Sequence, residues 1–186
     1  MKIRWDNFSM FEKNKFEKMN ETDRFIYFLC KQFGSPYGWG QETPAASDCS
    51  GAICMSLFAA TGFLIRTTAD DLYKRIFTKA NPNARDIRAV FYITRKNQKH
   101  GDRTVAAGTA THVAGFVGEG VVLNSQQPHA MVRRIVDVSV WYERNGFDIV
   151  TRGLNREALA RLAVDGKTRF GLDAEFGRYF QLTGKS

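Results

Sequence analysis

One segment leaves a folded chain few options. From Cys49 to Gly62 the sequence reads CSGAICMSLFAATG, and as a helix it carries almost no polar face. A helix that is apolar on most sides belongs at the centre of a domain, covered by other elements. It is too short, and too interrupted by Ser56 and Thr61, to span a membrane. Gly62 suits its stop. It opens on Asp48-Cys49-Ser50-Gly51, directly after the Gly- and Pro-rich loop GSPYGWGQETPAAS. Whatever Cys49 does, it does so at the start of a buried helix.

The elements that cover this helix can be read on either side of it. Before it, NETDRFIYFLCKQFG predicts a helix from Glu21 to Phe33, capped by Asn20 with Asp23 three residues on. Its apolar face is Phe25, Ile26, Leu29 and Phe33, with Cys30 as a buried filler beside it. After the central helix, Thr68 and Asp71 predict a short helix over Ala69 to Phe77. Then the period changes. IRAVFYITR reads as a strand, and THVAGFVGEGVVLNS as two strands turning at Gly118-Glu119-Gly120. TRKNQKHGDRTVAAGTAT between them reads as a loop near the site. MVRRIVDVSVWYER and FDIVTRG continue as strands, and NREALARLA as a helix capped by Asn155. Helices first and an antiparallel sheet after them make an α+β fold. The expected divisions are an N-terminal extension over 1–19, a catalytic domain over 20–153 and a C-terminal extension over 154–186 packed on that domain.

Composition narrows what such a domain can do. With 44% hydrophobic residues, 186 residues suit one real core. The net charge of +8 favours anionic partners such as nucleic acid, acidic lipid or bacterial cell wall. The basic residues are scattered and no nucleic-acid motif is present, which disfavours nucleic acid. The N-terminal segment is charged throughout, without the apolar core of a secretory signal. The expectation is synthesis in the cytoplasm, with another route to any site of action outside, and no stable membrane insertion.

Cys49 has four possible roles: nucleophile, metal ligand, half of a disulfide, or small buried residue. Three cysteines make an odd and sparse set. On one helix Cys49 and Cys54 would point about 140° apart and could not bridge. No Cys-x-x-Cys pair or paired histidine spacing exists, so no metal or other cofactor is expected. Cys54 reads as core. A nucleophilic Cys49 would gain thiolate character from the helix N-terminus, and it needs a base and a group to orient that base. His112 opens the apolar strand HVAGFVG, where packing alone gives a histidine no reason. Asn124 lies on the partner strand, an even number of residues away across the turn, so both side chains share a face. His129, in QQPHA, is a rival for the third role, and His100 reads as a solvated loop residue.

PYGWGQETPAASDCSGAICMSLFAATGF followed by THVAGFVGEGVVLNS resembles the NlpC-type bacterial cell-wall cysteine peptidases, a papain-like family. The matching positions are Tyr37, Trp39-Gly40, Asp48-Cys49-Ser50-Gly51, His112 and Asn124, and the likeness covers roughly Phe25 to Gly153. The resemblance implies a papain-like fold, with the nucleophile at the start of a central buried helix packed on an antiparallel sheet. It implies hydrolysis of peptidoglycan stem peptides, typically between γ-D-glutamate and the diamino acid, through an acyl-enzyme on Cys49. His112 would be the base and Asn124 its orienter. Tyr37, Asp48 and Ser50 would line the pocket for the substrate's N-terminal side, with Asp48 pairing a free α-amino group. The chain departs from the family pattern at Asn124, where His is common, and at Arg85-Asp86-Ile87, where Gly-Asp-Leu is usual. A phage lysin or tail enzyme, a secreted effector and a recycling enzyme all fit this reading. The alternatives are an amidase or acyltransferase on another amide or a lipid, and a catalytically silent tail or adaptor module. The oligomeric state is not legible.

Overall fold

A computed structural model of the chain describes residues 18–43, 45–100 and 103–164. Most of the 1–19 extension, and the 154–186 extension beyond residue 164, lie outside the described residues.

Helix α1 (Glu21–Cys30) starts as its sequence dictates. The Asn20 side chain accepts from the Asp23 backbone N–H at 2.9 Å. It ends earlier than expected, at Cys30, and the next residues close in tight i→i−3 turns. The reason is Gln32. Its amide is buried, donating to the Ala52 carbonyl and to Ser56 Oγ at 2.9 Å each and accepting from Ser47 Oγ at 3.2 Å. A buried amide must find such partners, and drawing Gln32 inward turns Phe33 outward, where it is 64% exposed. Cys30, expected as filler, is exposed as well. The buried face is Phe25, Phe28 and Leu29, at i, i+3 and i+4, and Cys30 falls off it.

Two short strands, β1 (Glu42–Thr43) and β2 (Ala46–Ser47), pair antiparallel just before α2 (Cys49–Thr61). Every residue of α2 from Cys49 to Ala60 is buried. Gly62 ends it in the left-handed region at φ 78°, and its N–H returns to the Phe58 carbonyl. A short α3 (Ala69–Asp71), capped by Thr68, runs on into a π-helical turn over Leu72–Ile76.

The sheet has five antiparallel strands in the order β8-β7-β6-β3-β9. They are β3 (Arg88–Thr94), β6 (Ala110–Gly118), β7 (Val121–Gln126), β8 (His129–Arg134) and β9 (Phe147–Gly153). One face carries α1 and α2, with Phe25, Leu29, Ile53, Leu57, Val113 and Leu123 in a common core. Burying each such side chain stabilises the fold by roughly 1.5–3 kcal/mol. Gly115 lets the helices come this close, since a Cβ there would meet Ile53 Cδ1 at 2.9 Å and also Leu29. Between β3 and β6, where a loop is expected, β4 (Gln98–His100) and β5 (Arg103–Val105) form a small hairpin.

The opposite face is covered by α4 (Ile135–Arg144), a segment whose sequence reads as strand. Ile135, Val136, Val138 and Val140 carry that strand signal. Position overrides it. Val138 and Tyr142 are buried one turn apart against the sheet with Ile135 beside them, while Val136 and Val140 face outward. Arg134 binds both carboxylate oxygens of Asp137 at 2.9 and 2.8 Å across the first turn. Finally α5 (Arg156–Val164) follows its Asn155 cap and buries Leu159 in the main core.

Candidate active site

Asp48 fixes the start of α2. Its backbone is extended (ψ 178°), and Oδ1 accepts from the Gly51 N–H at 2.6 Å and the Ser50 hydroxyl at 2.9 Å. Oδ2 accepts from the Gly40 N–H at 3.0 Å and from Arg66 Nη2 at 2.7 Å. Arg66 also donates to Ser50 Oγ and to the Thr67 carbonyl, at 2.8 Å each. The Arg66 and Asp48 side chains are only 3% and 10% exposed, so this is a buried ion pair with both oxygens of its carboxylate used. Cys49, the first helical residue, is held between two residues of this network.

The second half of the site is built on β6 and β7. Gly115 pairs with Leu123, so His112, Ala114 and Asn124 point to the same face. His112 Nε2 meets Asn124 Oδ1 at 2.5 Å, and Asn124 Nδ2 donates to Gln126 Oε1 at 3.0 Å. Because the Asn124 amide nitrogen is committed to Gln126, its oxygen is the acceptor facing the ring. Nε2 therefore carries the proton and Nδ1 the lone pair. The Tyr142 ring of α4 stacks on the imidazole with centroids 5.6 Å apart and planes 12° from parallel, and Tyr92 stacks on Tyr142 at 3.9 Å. The ring is thus held in its plane by one hydrogen bond and one stack.

Cys49 and His112 line one cavity of about 360 Å³. Tyr37 and Trp39 from the loop before α2 form part of its wall, and Gln126, Trp141 and Tyr142 another part. Burial pushes the Cys49 thiol up to about 12, and the Asp48 carboxylate adds to this. N–H groups of Val113 and Ser50, and the Arg66 charge, oppose that rise without overcoming it. Burial also holds the His112 imidazole below its ordinary range, against the Asn124 hydrogen bond and the Asp48 charge. Both groups are therefore neutral at pH 7. The sequence argument for a lowered thiol pKa at a helix N-terminus gives way here to desolvation.

The structure brings Cys49, His112 and Asn124 to one place, with Tyr37 on the same wall. Asp48 and Ser50 differ from their expected setting. They are not among the residues that line this cavity, and their polar atoms meet one another and Arg66. His129 opens β8, its backbone bridging Pro36, and it is not on the cavity wall. Sequence reasoning missed Gln126, Arg66 and Tyr142. Gln126 lies two residues past Asn124 on the same strand face, which is a usable signal. Tyr142 was hidden by the strand-like reading of α4, and Arg66 gives no local signal. Among the described residues no group of His, Cys, Asp and Glu could hold a metal ion, and no helix is long and apolar enough to cross a membrane.

Residues 34–147 match the family model described as NlpC/P60. Murein DD-endopeptidase MepH of Escherichia coli K12 is 32% identical over 102 residues, which cover 52% of this chain and 33% of that protein. The chain thus matches about a third of that relative's length. A lipoprotein-like NLP/P60 family protein of Staphylococcus aureus superposes with a TM-score of 0.53 at 19% identity, over 72% of this chain and 41% of that one. The P60 domain of a Mycobacterium avium paratuberculosis antigen superposes with a TM-score of 0.50 at 19% identity, over 78% of this chain and 99% of that one. These superpositions establish the α+β fold.

Proposed function

The chain belongs to the NlpC/P60 family, and on that premise we propose that it is a cysteine peptidase of peptidoglycan stem peptides. The observation that supports this best is the His112–Asn124 pair set into the same cavity as Cys49. A base whose outer nitrogen is fixed by an amide, with its inner nitrogen left for a thiol, is the arrangement a thiol acyl transfer needs.

The neutral resting pair defines the first step. As the substrate carbonyl enters, His112 Nδ1 takes the thiol proton and the Cys49 sulfur bonds to the carbonyl carbon. Nε2–H remains on Asn124 Oδ1, which stabilises the imidazolium that forms. The Cys49 backbone N–H, in the first turn of α2, is the candidate donor to the developing oxyanion. Collapse breaks the C–N bond, His112 gives its proton to the departing amine, and an acyl-enzyme remains. Water then enters, loses a proton to His112 and bonds to the acyl carbon; the C–S bond breaks, the acid departs, and His112 returns the proton to the Cys49 sulfur. Tyr37 contributes the wall on the Cys49 side. Asp48, Ser50 and Arg66 keep the turn that carries the sulfur in place.

We assign the γ-D-glutamyl–diamino acid bond as the one cut, and the cell wall as the place of action. The net charge of +8 supports an anionic wall polymer as partner. A second reading, the D,D cross-link between stem peptides, is favoured by the DD-endopeptidase activity for which the Escherichia coli relative is named. Digestion of defined muropeptides, monomeric and cross-linked, with wild type and Cys49→Ala decides both points by product mass. Cleavage of monomers by wild type alone supports the first bond. Cleavage only of cross-linked dimers supports the second. No cleavage of either overturns the peptidase reading.

A further inference from the structure

A second cavity, of about 240 Å³, shares Gln126, Gln127, Trp141 and Tyr142 with the first. Apart from Asn124, the residues it adds have no part in the reaction above. Met131 and Val138 give it an apolar lining, and its charged groups are Arg133 and Asp137. Asp137 is already committed, both oxygens being bound by Arg134. Arg133 is different. Its Nη2 donates to Met131 Sδ at 3.7 Å, a long contact to a weak acceptor. Two arginines and one carboxylate leave this end of the cleft positive.

The position of the cavity decides which half of a substrate would reach it. His112 must stand next to the departing nitrogen, because it delivers the proton there. The chain that continues from this nitrogen therefore runs along the wall of His112 and Asn124, away from Tyr37 and Trp39. Asn124 belongs to both the catalytic pair and the second cavity. Trp141, 56% exposed, lines both cavities and offers a flat surface where they meet.

Resting on the peptidase reading, we propose that Arg133 and Trp141 form a leaving-side subsite that binds a carboxylate on the amine-bearing residue of the substrate. A guanidinium over an apolar floor presents a planar fork of donors to a carboxylate and holds it bidentately, which a lysine cannot do. A diamino acid with a free side-chain carboxylate supplies that group, and its amidated form does not. Arg133 is thus a specificity residue that leaves the chemistry at Cys49 untouched.

The test uses the full chain and two muropeptides. Both are disaccharide tetrapeptides with diaminopimelic acid as the third residue, its α-carboxyl in a peptide bond, one with the side-chain carboxyl free and one with it amidated. Wild type favours the free acid, through KM, by roughly tenfold, the value of one charge-assisted hydrogen bond. Arg133→Ala raises KM for the free acid to that of the amide and leaves kcat for both unchanged. Arg133→Lys retains part of the preference, and Arg156→Ala, whose arginine is paired with Glu21 and lines neither cavity, retains all of it. The proposal is overturned if wild type treats the two substrates alike, or if Arg133→Ala keeps the wild-type preference. Cleavage of neither substrate by wild type would instead remove the γ-D-glutamyl–diamino acid assignment beneath it.

Discussion

The two walls of the site are held by opposite means. The nucleophile wall is ionic and closed: Asp48, Ser50 and Arg66 satisfy one another under Cys49, and the carboxylate accepts from Ser50, Gly51, Gly40 and Arg66. The base wall is neutral and aromatic: His112 rests between an amide hydrogen bond and the Tyr142 ring, and it borders the cleft. A buried ion pair is stable only while both partners stay, whereas a stack degrades gradually as its surface is trimmed. The wall that must not move is built from the first kind of contact. The wall whose ring is proposed to exchange protons is built from the second.

The sharpest way to break this comparison is at the reacting atom. Cys49→Ala removes the nucleophile and should abolish muropeptide cleavage while leaving thermal unfolding nearly unchanged; residual cleavage by mass spectrometry would refute the assignment. Next is Arg66→Ala, which strands the Asp48 carboxylate in the interior and should cost about 3–5 kcal/mol in urea unfolding. Arg134→Ala, breaking an exposed pair, should cost about 0–1 kcal/mol. Equal losses in the two variants would mean that the nucleophile wall is not ionically held. Asn124→Ala frees the imidazole and should lower kcat by roughly 10²-fold with little change in stability.

Smaller effects test the protonation state. With the thiol pushed up to about 12, alkylation of Cys49 by iodoacetamide should rise about tenfold per pH unit from pH 7 to 10, without a plateau near neutrality. Labelling is read by peptide mass, because Cys30 is exposed and reacts too. A plateau below pH 8 would indicate a resting thiolate–imidazolium pair. Smallest of all is Tyr142→Phe, which keeps the ring and should change kcat less than about threefold, whereas Tyr142→Ala should act like a mild Asn124→Ala.

Much of this architecture is legible in the sequence, and the rest is hidden for identifiable reasons. The caps at Asn20, Thr68 and Asn155 depend on neighbours within a few residues, so local patterns reveal them. The β6–β7 face-sharing of His112 and Asn124 follows from strand parity alone. Desolvation is not local: nothing in DCSG tells how deeply Cys49 is covered, and depth reverses the helix-terminus argument for its pKa. Arg66 meets Asp48 only after α2 has turned the chain back, across 18 positions. In α4 the β-branched residues give a strand signal, which packing of Val138 and Tyr142 on the sheet overrides. Phe33 misled because a buried glutamine next to it took the inward place.

That glutamine has a consequence for how this protein could change its tastes. Through Gln32 and Ser47, one side chain clasps the two ends of the segment that displays Tyr37 and Trp39. With both ends pinned to α2 and the Gly40 N–H bound to Asp48, the segment can vary only where those anchors are kept. Lengthening it costs only the slow logarithmic entropy of a longer loop, on the order of 0.6 kcal/mol per doubling. New substrates can be auditioned there by changing the side chains between those anchors, while the sulfur and its base stay where they are.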